Sequence, residues 1–186
     1  MKSKKKIVIS TLGPRGTCSE YTAQYYMDKN GLTGEIRLYS TFEEAIDVLK
    51  RGESDLALVP SAYQNFAKLL FENFDSIKIV NTFVYETPRL VIGSKKPVVT
   101  DIKKIATHPA PSSWVKRYYP DAEIIFAESN SRAALMVAEG EVDVCMTNYI
   151  CVEEYGLNVI KDCGPIMMSW NVFERIKTAS PVQAAK

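Results

Sequence analysis

The stretch that decides the fold is FEEAIDVLKRGESDLALVP, residues 42–60. Apolar residues recur in it at helical spacing as far as Leu49, and Gly52 follows, which predicts a helix that ends at the glycine. The short apolar run 56–59 comes directly afterwards and stops at Pro60, which is typical of a buried strand. A helix that leads straight into such a strand favours an α/β fold.

The same arrangement recurs in the second half of the chain, where residues 131–147 read SRAALMVAEGEVDVCMT. A helix again ends at a glycine, Gly140, and Asp143 opens the next apolar strand as Asp55 does in the first stretch. Shorter apolar runs predict further strands at Lys6–Ser10, Ile36–Tyr39, Arg89–Gly93, Ile105–Thr107 and Ile124–Phe126.

Strands that alternate with helices in this way predict two α/β lobes, each a small, mainly parallel sheet flanked by helices. The chain is expected to cross between them near residues 81–85 and again near 162–168. We therefore assign residues 1–82 and 168–186 to lobe 1 and residues 83–167 to lobe 2.

The charge balance excludes several kinds of partner. Lysine and arginine number 23 and aspartate and glutamate number 22, which gives a formal charge of +1. Such a chain has no electrostatic reason to bind nucleic acid or an anionic membrane. No apolar run approaches the roughly 20 residues that a membrane helix needs. The run Ile7–Ile9 after the basic start is too short for a secretion signal, so we expect a cytoplasmic protein.

The cysteines and the single histidine argue against a metal site. The four cysteines form no CxxC pair, and His108 is the only histidine, so we predict no metal and reduced thiols. The glycine-rich segment 13–17 has no Gly-Lys-Ser/Thr ending and is not a nucleotide-binding loop. It is either a tight turn before a capped helix or a loop that binds an anion.

Ligands of open α/β sheets bind beyond the carboxyl ends of the strands, so the segments that follow the predicted strands are the candidate site. These segments are 11–19, 61–65, 108–113, 129–131, 147–149 and 168–171. They are rich in hydroxyls, amides and helix N-termini and poor in carboxylates, which suits a small organic anion. His108 lies between prolines in a rigid loop and is either a structural hydrogen-bonding residue or a catalytic one.

The segment TLGPRGTCSEYTA, residues 11–23, resembles the opening GPxGTxSxxAA signature of the prephenate dehydratase family. Phe42–Pro60, 107–109, 129–134 and 155–157 follow in the order of that family, and the resemblance covers about residues 6–173. It implies a two-lobed fold of the type 2 periplasmic-binding-protein kind. It also implies a prephenate-like substrate in a cleft between the lobes.

The chain departs from the dehydratases at two motifs. Where they carry Pro-Ile-Glu-Asn-Ser it has residues 60–64, PSAYQ, and where they carry the catalytic Thr-Arg-Phe it has residues 169–171, SWN. We also expect no ACT regulatory domain. The replacements resemble the bacilysin-type prephenate decarboxylases, which show Val-Pro-x-Ala-Tyr, His-Pro-x-Pro and Pro-x-Met-Ser-Trp. The matching segments here are 59–63, 108–111 and 165–170, the last with one extra residue.

The resemblance implies decarboxylation of prephenate to a dihydro-4-hydroxyphenylpyruvate without aromatisation, in the biosynthesis of a non-proteinogenic amino acid or a peptide antibiotic. It implies no cofactor and is compatible with a homodimer. Two alternatives stay open: a dehydratase that yields phenylpyruvate, and a non-catalytic module that binds a small anion.

Eighteen residues are our candidates for the site of this reaction. The candidate catalytic residues are His108, Ser169 and Tyr63. The candidate substrate-binding residues are Thr11, Gly13, Arg15, Gly16, Thr17, Ser19, Ala62, Ser112, Ser129, Asn130, Ser131, Thr147, Asn148, Met168 and Trp170.

Overall fold

The structure is a computed structural model, and it describes residues 6–177 of the 186-residue chain. The chain divides into two units. Unit 1 holds the residues up to Leu12, Ala23–Val84 and the residues from Ser169 onwards, and unit 2 holds Gly13–Thr22 and Tyr85–Met168. Residues 1–5 and 178–186, which the prediction placed in lobe 1, lie outside the described residues.

Residues 6–177 form sixteen strands and helices. The first eight elements are β1 (Ile7–Leu12), α1 (Cys18–Lys29), β2 (Gly34–Tyr39), α2 (Phe42–Arg51), β3 (Leu56–Pro60), α3 (Phe66–Glu72), β4 (Ile77–Glu86) and β5 (Leu90–Ser94). The remaining eight are β6 (Lys104–Thr107), α4 (Ser112–Tyr118), β7 (Glu123–Phe126), α5 (Asn130–Glu139), β8 (Val144–Asn148), α6 (Tyr149–Glu154), β9 (Asn158–Gly164) and β10 (Met167–Arg175). Of these elements, α3, β4, α6, β9 and β10 were not predicted from the sequence.

Each unit contains one five-stranded sheet. The order is β2-β1-β3-β10-β4 in the first sheet and β7-β6-β8-β5-β9 in the second. β1 runs parallel to β2 and β3, and β6 runs parallel to β7 and β8. β10 is antiparallel to β3, and β5 is antiparallel to β8 and β9. The predicted α/β class with two sheets is confirmed, and both sheets are mixed because a returning strand joins each parallel core.

The helix-to-strand repeat of the sequence is also present in the structure. Thr41 caps α2 by accepting a hydrogen bond from the Glu44 amide (3.1 Å), and Ser129 caps α5 in the same way from the Arg132 amide (3.0 Å). Both helices end at a glycine in the left-handed region, with φ of 78° at Gly52 and 83° at Gly140. A side chain is strained in that conformation, which is why a glycine terminates both helices.

The structure differs from the sequence prediction in two segments, residues 13–22 and residues 168–171. Residues 13–22 group with unit 2, whereas the prediction kept them with the first lobe. Residues 168–171 were expected to follow a strand, and this is wrong, because they lie inside β10. The reason is packing: Trp170 and Val172 are buried on β10 and extend the apolar run of Phe173. The predicted lobe boundaries and the cleft between the lobes stay predictions.

Within residues 6–177, no helix is long and apolar enough to cross a membrane. The first unit has its core around Phe42, Ile46, Leu49 and Phe173. In the second unit, Cys145 belongs to one buried cluster and its neighbours Val144 and Met146 to another, because alternate residues of a strand face opposite sides of the sheet.

The core position of β10 can be tested by truncating Phe173. Its side chain is fully buried and its ring lies 6.1 Å from that of Phe66. We expect Phe173→Ala to lower the free energy of unfolding by about 3–5 kcal/mol, because it removes buried surface and leaves a cavity. Urea denaturation measures the change.

The matched control is Phe74→Ala, which removes the same ring from a side chain that is 71% exposed in the same unit. We expect it to change the free energy of unfolding by no more than about 0.5 kcal/mol. Equal effects of the two substitutions would contradict the core position of β10.

Candidate functional site

The residues that the sequence selects divide between the two units. Unit 1 holds Thr11, Ala62, Tyr63, Ser169 and Trp170. Unit 2 holds Gly13, Arg15, Gly16, Thr17, Ser19, His108, Ser112, Ser129, Asn130, Ser131, Thr147, Asn148 and Met168. Their roles in binding and catalysis stay predictions, but the hydrogen bonds inside each unit define what their side chains already do.

The loop before α1 is closed by its own helix. The Thr17 hydroxyl accepts a hydrogen bond from the Glu20 amide (3.2 Å), and a Glu20 carboxylate oxygen accepts one from the Gly16 amide (2.8 Å). This is a variation on the capping box, in which a hydroxyl and a glutamate three residues later cap one helix start. Two backbone donors are therefore satisfied within the loop, and an anion would have to use others.

A buried amide holds this loop against the strand–helix junction of β8 and α6. The side-chain nitrogen of Asn148 donates to the Gly16 carbonyl (2.7 Å), and its oxygen accepts from the Cys151 amide (3.0 Å). The Cys151 thiol also faces that carbonyl, at 3.7 Å. Gly16 has a φ of 79°, and a Cβ there would lie 3.3 Å from the Cys151 sulfur, so the loop requires glycine at this position.

The start of α5 lies beside the start of α1 in unit 2. The Asn130 side-chain nitrogen is 3.8 Å from the Cys18 sulfur, and the Thr147 hydroxyl donates to the Asn130 carbonyl (2.8 Å). Ser131 and Tyr155 share a hydrogen bond between their hydroxyls (2.9 Å). Two helix N-termini, whose exposed amides and dipoles favour negative charge, thus come together with three of the predicted segments.

His108 makes its hydrogen bonds inside its own loop. Its Nδ1 accepts from the Ala110 amide (3.2 Å), which places the proton of the neutral ring on Nε2. Burial lowers the pKa of His108 from its ordinary value. Ser112 likewise bonds within this loop, because its hydroxyl donates to the Pro109 carbonyl (2.6 Å). The ring is therefore neutral near pH 7, which suits a hydrogen-bond donor better than a general acid.

Three cysteines of unit 2 are thiols rather than thiolates. Burial raises the pKa of Cys18 and of Cys145 to about 12 and that of Cys151 to about 11. All four cysteines of the chain are free of disulfides, in keeping with the predicted reduced state. Because the thiolate is the nucleophilic form, none of the three is prepared for nucleophilic attack near pH 7. Among residues 6–177, no group of three His, Cys, Asp or Glu side chains is arranged to hold a metal ion.

In unit 1, the segment after β3 lies against β10. The Ser61 amide donates to the Ser169 carbonyl (2.9 Å). This bond joins the two motifs, 60–64 and 169–171, in which the chain differs from the dehydratases. The Tyr63 hydroxyl donates to a Glu43 carboxylate oxygen (2.7 Å), and its ring packs on Phe42 with centroids 4.7 Å apart. Burial, and then this bond to Glu43, raise the pKa of Tyr63. Tyr63 is therefore a weaker acid than a free tyrosine.

Two residues selected as substrate contacts are enclosed by protein. The hydroxyl of Thr11 is fully buried and donates to the Leu58 carbonyl (2.8 Å), and Trp170 is 1% exposed on β10. The sequence could not reveal this, because both residues stand next to loop segments in the chain. In the structure their side chains take part in the packing of unit 1.

One buried polar residue of the site region was not among the eighteen candidates, although the selected segment 168–171 contains it. Asn171 lies on β10 opposite Val59 and is buried, and its neighbours in the sequence, Trp170 and Val172, are apolar and buried as well. An isolated amide in an apolar strand is a signal that the sequence did contain, because a buried amide needs hydrogen-bond partners. Those partners belong to other elements and are visible only in the fold.

Known proteins resemble the chain over most of its length. The family model for prephenate dehydratase matches residues 9–163. The prephenate decarboxylase of Planktothrix agardhii is 31% identical over 92% of this chain and 89% of its own length. That of Bacillus subtilis is 29% identical over 91% and 87%. A prephenate dehydratase of Amycolatopsis methanolica is 28% identical over 82% of this chain, but over only 51% of its own length.

Solved structures support the predicted fold. The prephenate dehydratase of Arthrobacter aurescens in complex with L-Phe has a TM-score of 0.74 at 18% identity, with 95% of this chain and 62% of that one covered. The periplasmic VFT2 domain of Bordetella pertussis BvgS has a TM-score of 0.55 at 18% identity, with 91% and 80% covered. The periplasmic-binding-protein-like fold class is confirmed. The chain belongs to the prephenate dehydratase family, and the relatives that it matches over nearly nine-tenths of their length are prephenate decarboxylases.

Proposed function

We propose that this protein is a carboxy-lyase that decarboxylates prephenate and leaves the ring non-aromatic. The observation that carries the proposal is position 170, where the dehydratase motif has arginine and this chain has a buried tryptophan. An indole on β10 has no acidic proton to give to a leaving hydroxyl. The match to two prephenate decarboxylases over nearly the whole of their lengths supports the same activity.

The chemistry depends on where the electron pair of the broken carbon–carbon bond goes. Prephenate carries a carboxylate and a 4-hydroxyl at opposite positions of a cyclohexadiene ring. When carbon dioxide leaves, its bonding electrons enter the ring. If an acid protonates the hydroxyl, water leaves and the ring becomes aromatic, giving phenylpyruvate. If a ring carbon takes the proton instead, the hydroxyl stays and the product is a dihydro-4-hydroxyphenylpyruvate. General acid catalysis typically contributes about 10²–10⁴-fold, so the loss of that acid favours the second route.

The converging N-termini of α1 and α5 in unit 2 supply the groups for binding a carboxylate. Partial positive charge collects at each helix start, and first-turn amides bind anionic oxygens. Thr17 and Asn130 add a hydroxyl and a carboxamide at these ends. Since Glu20 already occupies the Gly16 amide, we assign the substrate carboxylate to the starts of α1 and α5, around residues 17–19 and 130–131.

For His108 we propose substrate positioning through Nε2–H. Its Nδ1 is engaged by the Ala110 amide, and the lowered pKa keeps the ring neutral at pH 7, so it can donate a hydrogen bond without carrying charge. The scheme requires no cofactor. The homodimer and the cytoplasmic location that the sequence favours stay predictions.

Product analysis tests the proposal directly. We expect the purified protein to release carbon dioxide from prephenate while proton NMR retains olefinic ring signals and the carbinol proton. Phenylpyruvate formed faster than the spontaneous background would assign the protein to the dehydratases. A protein that binds prephenate without any turnover would be the anion-binding module.

Substitution of Thr17 tests the carboxylate site. We expect Thr17→Val to lower kcat/KM, because a polar group of the substrate loses its partner. The corresponding loss of transition-state stabilisation is about 1–3 kcal/mol. The lost cap separately lowers the free energy of unfolding by about 0.5–2 kcal/mol. Thr17→Ser keeps the hydroxyl and is the matched control, which should retain both values. A normal kcat/KM in a destabilised Thr17→Val protein would limit Thr17 to capping.

Substitution of His108 separates positioning from proton transfer. His108→Asn keeps an amide donor of similar reach but cannot transfer a proton near neutral pH, so we expect kcat to stay within about 10-fold of wild type. Steady-state kinetics at pH 7 measure it. A loss of about 10²-fold or more in kcat, with KM and the fold intact, would assign the general acid to His108.

The pH dependence of the free energy of unfolding provides a second test of His108. Because the folded-state pKa of His108 lies below its unfolded value, its neutral form stabilises the loop above the unfolded pKa. That contribution is lost as the pH falls through the lowered pKa, since protonated Nδ1 can no longer accept from Ala110. The free energy of unfolding should therefore fall less steeply on acidification in His108→Asn than in wild type.

A further inference from the structure

Asn171 connects three elements of unit 1 through its side-chain amide. Its nitrogen donates to the Ser61 hydroxyl oxygen (2.8 Å) and, at 3.4 Å, to the Val59 carbonyl at the end of β3. Its oxygen accepts from the Thr82 hydroxyl on β4 (3.0 Å). The residue is only 5% exposed, so every polar atom of this side chain is satisfied inside the protein.

The Val59 carbonyl fixes which way the amide points. A carbonyl oxygen can only accept a hydrogen bond, so the atom of Asn171 that faces it must be the nitrogen. The same nitrogen then faces Ser61, whose oxygen has to act as the acceptor in that contact. The hydroxyl proton of Ser61 is therefore directed away from Asn171.

Ser61 is held at the carboxyl end of a sheet strand with its own donor available. Its amide donates to the Ser169 carbonyl (2.9 Å), so its backbone is fixed as well as its hydroxyl oxygen. The side chain is exposed, and it is the first residue after β3, at the sheet edge where ligands of α/β folds bind. Because the hydroxyl oxygen already accepts a hydrogen bond from Asn171, its proton points in another direction. The hydroxyl can donate that proton in a hydrogen bond to an oxygen of a ligand.

A buried amide is a costly way to fill space in a strand. An apolar side chain of similar volume would pack at this position without any need for hydrogen bonds, whereas an amide must have all of its partners in place. Within the described residues, the contact of Asn171 that reaches the sheet edge is the one to Ser61. The role of the buried amide that follows from this contact is to orient the Ser61 hydroxyl.

We infer that Ser61 donates a hydrogen bond to an anionic or keto oxygen of the substrate, and that Asn171 is the positioning residue that orients the Ser61 hydroxyl. The inference rests on the proposed function and assigns roles in it to two residues of unit 1. Neither was among the eighteen candidate residues, although both lie in segments that the sequence selected, 61–65 and 168–171.

A double-mutant cycle tests the inference in the full chain. We expect Ser61→Ala and Asn171→Leu each to lower kcat/KM for prephenate by about 10- to 100-fold, the range for a lost hydrogen bond to a charged group. The double variant should be no worse than the poorer single variant, because Asn171 acts through Ser61. Ser76→Ala is the matched control: its hydroxyl bonds Asp75 in the same unit, and kcat/KM should be unchanged.

Two kinetic outcomes would overturn the inference. The first is wild-type kcat/KM in Ser61→Ala. The second is an equal loss from Asn171→Leu in the wild-type and Ser61→Ala backgrounds, which is what a purely structural role predicts. If Asn171→Leu does not fold, Thr82→Val replaces it in the cycle, because it loosens the amide and keeps Ser61 in contact.

An NMR measurement tests the contact between Asn171 and Ser61 without substrate. In nitrogen-edited NMR spectra, we expect a side-chain amide proton of Asn171 to move upfield in Ser61→Ala, because its hydrogen bond is lost. An unchanged resonance would overturn the orienting contact. Failure of the proposed function has a different signature, since it appears as no decarboxylation of prephenate by the wild-type protein itself.

Discussion

The side chain of Asn148 carries the pair of hydrogen bonds on which the candidate carboxylate site depends. One bond caps α6 at the Cys151 amide, and the other reaches across 132 residues of sequence to the Gly16 carbonyl. Because both polar atoms are used and the side chain is fully buried, the amide can adopt only this orientation. The loop before α1 is thereby fixed, and with it the helix start that lies beside α5.

Internal hydrogen bonding explains why several plausible ligand contacts serve the fold first. Thr11 and Thr147 follow the pattern of site residues in the sequence, yet each donates its hydroxyl to a backbone carbonyl inside its own unit. A buried hydroxyl without a partner costs about 1–3 kcal/mol, so such groups are satisfied within the protein before they can serve a ligand. The more exposed side chains lie at the ends of strands, as Ser61 does at the end of β3.

The differences from the dehydratases concentrate where β3 meets β10. The dehydratase motifs carry isoleucine and phenylalanine where this chain carries Ser61 and Asn171, and here these two side chains are hydrogen-bonded to each other at 2.8 Å. The neighbouring arginine is replaced by the buried Trp170. Two apolar side chains of the dehydratase motifs are thus replaced by the polar Ser61 and Asn171, and the arginine by the ring of Trp170. Such changes alter what the site can donate and protonate while the strands keep their register.

The sequence alone determined the α/β class, the helix-to-strand repeat and the family, because apolar periodicity, caps and glycine stops act over a few neighbouring residues. It also located the segments that follow β3, β6 and β7. Only the tertiary structure decided that residues 168–171 lie within a strand, that Asn148 is hydrogen-bonded to Gly16, and that Asn171 is hydrogen-bonded to Ser61. These pairings join residues more than a hundred positions apart. A side chain's role there follows from which partner the fold brings within hydrogen-bond distance, and no local pattern specifies that partner.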